Sequence, residues 1–115
     1  MSRRGPSRSS TNRWTQAPVF AALGDETRLS LLAKLGDRRP HSISQLTRGS
    51  RLTRQAITKH LRVLHRARIV HCSRAGRESR FVLDPRPIDD LRTFLDSVSA
   101  QWDEALASLK LFVEK

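Results

Sequence analysis

Leu52-Thr53-Arg54-Gln55-Ala56-Ile57-Thr58-Lys59-His60-Leu61-Arg62-Val63-Leu64 is the stretch on which the fold turns. Its spacing predicts a helix with a capped start and two unlike faces. Thr53 suits the N-cap, and Leu52 and Ile57 stand at the two positions of a hydrophobic staple. Ile57, Leu61 and Leu64 share one apolar stripe. Arg54, Gln55, Thr58, Lys59 and Arg62 point away from it. Such side chains hydrogen-bond base edges and phosphates, so the helix is expected to enter a DNA groove.

Working outward, Ser42-Ile43-Ser44-Gln45 has the capping-box spacing, which opens a short helix ending near Gly49 with Ile43 and Leu46 facing the core. A Gly-containing turn, Gly49-Ser50-Arg51-Leu52, joins the two helices in a helix-turn-helix pattern. Earlier in the chain, Pro18–Leu23 reads as a short apolar helix ended by Gly24. Asp25 caps a second, Glu26–Leu35, with Leu29, Leu32 and Leu35 on one face. Gly36 to Pro40 breaks it.

Beyond Ala67 the periodicity changes. Ile69–Arg74 and Ser79–Leu83 read as strands joined by a turn at Ala75-Gly76-Arg77-Glu78, a wing carrying Arg74, Arg77 and Arg80. Pro85 and Pro87 end the hairpin. Ile88–Lys115 then holds no Gly or Pro and reads as one long helix. Ile88, Leu91, Leu95, Val98, Trp102, Ala105, Leu109 and Phe112 follow at gaps alternating between 3 and 4, a heptad seam. Phe94, Leu106 and Val113 widen it. That seam outruns a small core. The expected cover is the same helix of a second subunit, with Phe20 and Leu23 of the first helix contributing. Leu91, Leu95, Val98, Trp102, Leu109 and Phe112 would carry the homodimer contact.

Charge follows the same division. The 115-residue chain has a net charge of +11. Residues 37–83 carry +10 and residues 84–115 carry −3. A polyanion is the natural partner of the middle segment. Residues 1–13 are rich in Ser, Arg, Gly and Pro and read as a flexible basic tail, either brushing DNA or inert. Residues 14–115 make one domain, mainly α with a small β-hairpin. No apolar run approaches the ~20 residues of a membrane span, and the start of the chain lacks the apolar core of a signal peptide. The single cysteine cannot close an internal disulfide, so a reducing cytoplasm is expected, and the expected DNA partner places the protein at the nucleoid.

Residues from about Ala17 to Lys115 resemble the ArsR-type (arsenical-resistance-repressor-type) winged-helix regulators of bacteria. The likeness rests on Phe20-Ala21-Ala22-Leu23-Gly24-Asp25-Glu26-Thr27-Arg28-Leu29, on Ala56 to Leu64, and on Ala67-Arg68-Ile69-Val70 leading into Gly76-Arg77. It implies a winged helix-turn-helix with a long C-terminal dimerisation helix. It further implies a homodimeric repressor of a two-fold-symmetric operator, occluding a promoter and released by an inducing signal whose chemistry these residues leave unassigned. Founding members sense metals through a Cys-x-Cys pair where this chain has Ser42 and Ser44, and serine hydroxyls are poor ligands for soft metals. The second known metal site takes His with Asp or Glu from the C-terminal helix, where this chain has no His after His71. The likeness therefore points to the metal-independent members, with no metal and no cofactor.

Among individual residues, Thr53, Arg54, Gln55, Thr58 and Lys59 are expected in the major groove. Arg54 or Lys59 is a candidate for guanine and Gln55 for adenine. Arg51 and Arg62 suit phosphates. His60 either hydrogen-bonds locally or reaches DNA. Arg77 at the wing tip suits the minor groove, with Arg74 and Arg80 on phosphates. Arg28 is expected in an ion pair with an acid more than on DNA, and Cys72 as a small packed residue. No catalytic pattern is present, so an enzyme is not expected. The competing reading is a non-specific nucleoid-associated DNA- or RNA-binding protein, and a third is an interaction adaptor using the acidic C-terminal helix.

Overall fold

Among the described residues, five helices and a small sheet follow one another as α1 (Arg13–Leu23), α2 (Glu26–Lys34), a 3₁₀ turn (Leu35–Asp37), β1 (His41–Ser42), α3 (Ile43–Thr47), α4 (Arg54–Arg66), β2 (Val70–Ala75), β3 (Glu78–Leu83) and α5 (Arg86–Glu114). This computed structural model describes residues 13–114, with side chains from Gln16 onward. The tail expected over 1–13 therefore lies outside the described residues, except for Arg13, which begins α1.

The first helix starts five residues earlier than its sequence suggests. Pro18 sits inside it, where it removes one backbone bond. Packing overrides that cost: α1 lies against α5 and buries Gln16, Val19 and Ala22. Asp25 caps α2 as expected, accepting the Arg28 backbone N–H at 3.1 Å. The buried face of α2 differs from the expected stripe. Leu31 and Leu35 are buried and Leu32 is half-buried, but Leu29 is exposed. Leucines occupy several sides of this helix, and contact with α1 and α4 selects which of them go inside.

The capping box at Ser42 is complete. Its hydroxyl accepts the Gln45 N–H at 3.1 Å, and the Gln45 side chain accepts the Ser42 N–H at 2.8 Å. Residues His41 and Ser42 also form β1, a strand too short to announce itself. It pairs antiparallel with β3, giving the sheet order β1-β3-β2. The wing register sets Val70 opposite Leu83 and Ala75 opposite Glu78, leaving Gly76-Arg77 as a two-residue turn. Gly76 has φ +66°, and Arg77 does not share that sign, the pattern of a type II′ hairpin turn.

Leu31, Leu35, Leu46, Ile57, Leu61, Leu64, Ile69 and Val70 form the fully buried centre. Phe81 and Leu91 close it from the sheet and from α5. Cys72 is a correction: it is exposed, not packed. Strand alternation puts it on the same side as Val70 and Phe81, but β2 is an outer strand of the sheet and Cys72 stands two residues nearer the wing tip than Val70.

The C-terminal end of α4 is unusual in chemistry. The Arg68 N–H donates to the His65 carbonyl and the Ile69 N–H to the Leu64 carbonyl, both at 3.0 Å, which is a Schellman motif. The left-handed position usually taken by glycine holds Arg68, φ +64°.

At the other end of the wing, Asp84 joins β3 to α5. Its carboxylate accepts the Arg86 guanidinium at 2.7–3.2 Å, the Arg86 backbone N–H at 3.0 Å and His71 Nε2 at 2.6 Å. The Arg86 hydrogen bond holds the Asp84 carboxyl well below the usual carboxylate range, against the opposing effect of burial. The base of the wing and the start of the long helix are thus tied through one buried anion.

Candidate nucleic-acid interface

The local sequence makes α4 amphipathic and turns its polar face outward. Thr53 adopts extended backbone geometry and its hydroxyl accepts the Ala56 N–H at 3.1 Å, capping the helix. Ile57, Leu61 and Leu64 are buried, and Val63 is half-buried beside them. The expected staple is incomplete, because Leu52 stays exposed while Ile57 is buried. The turn before α4 depends on Gly49, φ +79°, and on the Ser50 hydroxyl, which accepts the Leu52 N–H at 3.0 Å. Lys34 of α2 donates to the Leu46 carbonyl at 3.1 Å, fixing α3 to the core.

Arg51, Thr53, Arg54, Gln55, Lys59 and Arg62 are exposed, and Thr58 is half-buried. Not all of them are free to read bases. The Thr58 hydroxyl donates to the Arg54 carbonyl at 2.7 Å, which commits its proton. The Arg54 guanidinium donates to the Ser44 hydroxyl of α3. Gln55 and Lys59 are left with open polar ends on the outer face.

His60 turns inward. Its Nδ1 lies 3.3 Å from Arg28 Nη1 and 3.6 Å from Asp25 Oδ2, which favours the local reading over contact with DNA. Arg28 differs from expectation in its partner. Its Nε donates to the Ala22 carbonyl at 2.6 Å and Nη2 to the Ala21 carbonyl at 3.3 Å. The guanidinium serves carbonyls at the end of α1 instead of pairing with a carboxylate. Asp25 is held below its usual pKa, chiefly by the Arg28 backbone N–H, with His60 and the Arg28 charge adding to it. Asp25, Arg28 and His60 thereby lock α4 to the α1–α2 corner.

The wing arginines do not share one surface. Arg74 pairs across the ladder with Ser79, and Arg80 with Ser73, so alternation sends Arg74 and Arg80 to opposite faces. Arg80 Nε also donates to Glu78 at 3.2 Å. Arg77 stands at the tip.

This arrangement, a capped helix-turn-helix followed by a basic wing, matches known proteins over most of the chain. A helix-turn-helix domain family model covers residues 23–73. The HTH-type transcriptional regulator Rv2034 of Mycobacterium tuberculosis is 33% identical over 96 residues, covering 84% of this chain and 86% of that protein. The solved structure of an ArsR-like transcriptional regulator from Rhodococcus sp. RHA1 is 37% identical with a TM-score of 0.76, covering 86% of this chain and 92% of that one. The chain belongs to the ArsR-like family of winged helix-turn-helix transcriptional regulators. The fold alone is shared with the homodimeric winged helix-turn-helix DNA-binding domain of Mycobacterium bovis, at 20% identity and TM-score 0.61 over 88% of this chain and 91% of that one.

As an ArsR-like regulator the protein binds DNA, and the α4 face with the wing is its basic surface. At the positions where founding members hold metal, Ser42 is buried in its capping box and Ser44 holds Arg54. Among the described residues no group of three or more His, Cys, Asp or Glu side chains is arranged to hold a metal ion. No described helix is long and apolar enough to cross a membrane.

The residues expected at the dimer contact divide in three. Leu91 is buried in this regulator's own core, so it is not offered to a partner. Leu23 and Val98 are half-buried. Phe20, Leu95, Trp102, Leu109 and Phe112 are exposed, the last at 78%.

Proposed function

We propose that this protein is a homodimeric, sequence-specific repressor that occludes a promoter by binding a two-fold-symmetric operator. The observation that carries this reading is the uncovered apolar seam on the outer half of α5. Trp102, Leu106, Leu109, Phe112 and Val113 are each more than half exposed. An exposed stripe of this extent on one helix marks an interaction surface. Its heptad spacing fits a second copy of the same helix, because knobs repeating every 3.5 residues fill the holes of an identical seam.

Joining two α5 helices fixes two copies of α4 in one assembly. Half-sites about one helical turn apart, ~34–36 Å, then bind together. Gln55 and Lys59 are assigned to base edges, with Arg51 and Arg62 on phosphates flanking the groove. Arg74 and Arg80, on opposite faces of the wing, reach different phosphates. Affinity comes largely from these cations and falls steeply with salt.

Trp102→Asp is the direct test. It places a charge in the seam and touches nothing in the reading head. The expected result is a folded monomer by sedimentation, with operator affinity reduced more than 100-fold. A variant that remains dimeric, or a monomer that binds as tightly as the parent, overturns the proposal.

A further inference from the structure

We propose that the small cavity between α3, the start of α4 and the wing turn is an oxyanion site that takes one phosphate of the DNA backbone, clamped between Arg54 and Arg77. The inference rests on the DNA-binding mode proposed above and changes the role of two residues within it.

The cavity measures about 150 Å³ and is lined by Ser42, Ile43, Ser44, Arg54, Arg77, Glu78 and Ser79. That is several times the roughly 30 Å³ share of one water. Two arginines from separate elements line it, one from the first turn of α4 and one from the wing tip. Ser44 and Ser79 add hydroxyls that donate to an oxyanion. Ser42 adds little, since its hydroxyl already caps α3. Glu78 is the one carboxylate in the lining, and Arg80 Nε holds it at 3.2 Å. The cavity therefore keeps a net positive charge.

The conformation of Arg54 is the second observation. A guanine-reading arginine extends outward along the groove. Here the guanidinium is drawn back across to α3 by the Ser44 hydroxyl. Its anchor, Ser44, lines the same cavity, so the contact holds the guanidinium beside it. The planar fork of arginine matches a phosphate better than any other side chain does. The start of α4 adds the positive end of a 13-residue helix. A backbone passing from the groove entered by α4 to the wing runs over this point.

Arg54 and Arg77 then fix register and read no base, while Ser44 is a positioning residue for Arg54. Sequence is left to Gln55 and Lys59. This replaces the guanine contact expected of Arg54 and the minor-groove contact expected of Arg77.

The test uses the full chain and a bound DNA site carrying one neutral methylphosphonate linkage at each backbone position in turn. In each half-site one position should weaken the parent about tenfold and leave Arg54→Gln and Arg77→Gln nearly unaffected. Arg54→Gln should lower affinity by a similar factor on every sequence and reduce the slope of log K against log salt by about 0.9. Ser44→Ala should follow the same pattern more weakly. Purely additive losses at every position, or an altered base preference in Arg54→Gln at unchanged slope, overturn the proposal.

A second arm separates the sources of phosphate. Inorganic phosphate is titrated without DNA while the amide signals of Ser44 and Arg77 are followed. A saturable shift that is absent from Arg54→Gln supports the oxyanion site and assigns it to a free anion as well. No shift alongside a positive methylphosphonate scan assigns it to DNA alone, and a negative scan overturns the proposal whatever the titration shows. If the protein proves not to select any sequence, the repressor reading falls while the methylphosphonate scan on any bound duplex still decides the cavity.

Discussion

The reading head and the outer half of α5 are built from similar amino acids and use them in opposite ways. In the head, α4 has its leucine stripe fully covered by α2, α3 and the sheet, and its cations face outward. In α5 the stripe continues at helical spacing, yet every residue from Ser99 to Glu114 is exposed. The head carries the positive charge and the C-terminal segment is net negative. An apolar stripe thus reports that something will be covered. The rest of the chain decides whether the cover comes from within.

The sharpest way to break this comparison is to make the same truncation in both regions. Leu61→Ala removes a fully buried side chain and should cost about 2–5 kcal/mol in denaturant unfolding, at any protein concentration. Leu109→Ala should leave the unfolding of dilute monomer unchanged within about 0.5 kcal/mol and weaken only the concentration-dependent step. Equal costs in dilute protein would erase the distinction between the two regions.

The link between the regions is Asp84. Asp84→Asn should destabilise the fold by about 2 kcal/mol at neutral pH, since it removes a charged acceptor from a buried cluster. The sign with pH follows from the lowered pKa. Between the native and ordinary carboxylate values the unfolded chain binds the proton more readily, so Asp84 contributes stability above its ordinary value of 3.8 and loses it as pH falls further. The gap between parent and variant should therefore close in acid. A gap that stays constant down to pH 2 would show that packing, not charge, holds the joint.

Within the head, Gln55→Ala should change base preference at one position per half-site by about 1–2 kcal/mol of discrimination, read by competition between site variants. A uniform loss on all sequences would make Gln55 a backbone contact. The smallest effect is expected at Arg68. Arg68→Gly relieves the left-handed backbone at the end of α4 and should stabilise by about 0.5–1 kcal/mol in thermal unfolding. Destabilisation instead would mean that the arginine side chain contributes more than its backbone costs.

Much of the head was legible because its signals are local. Thr53, the Ser42–Gln45 box, the stripe at Ile57, Leu61 and Leu64, and Gly76 in the turn each act within a few residues. What was not legible depends on contacts distant in sequence. Pro18 concealed the first half of α1, which exists because α5 lies against it. Arg68 stands where glycine would have announced the end of α4. Leu29 and Leu31 are alike as letters, and only the position of α1 and α4 separates them. Arg28 reaches carbonyls instead of acids because the α1–α2 corner brings those carbonyls within its length. For the candidate site, the sequence named the cations correctly as exposed groups of α4 and the wing. It gave no sign that Arg54 is drawn to Ser44, ten residues away, or that alternation parts Arg74 from Arg80.

The central claim is that two reading heads, held by α5, select a two-fold-symmetric site. The most direct measurement is recovery of genomic DNA fragments by the purified full chain at moderate salt, followed by sequencing. The account predicts one or a few strongly enriched sites, each an inverted repeat with half-sites about one helical turn apart. Diffuse recovery with no shared motif would contradict it and favour a non-specific nucleoid-associated role.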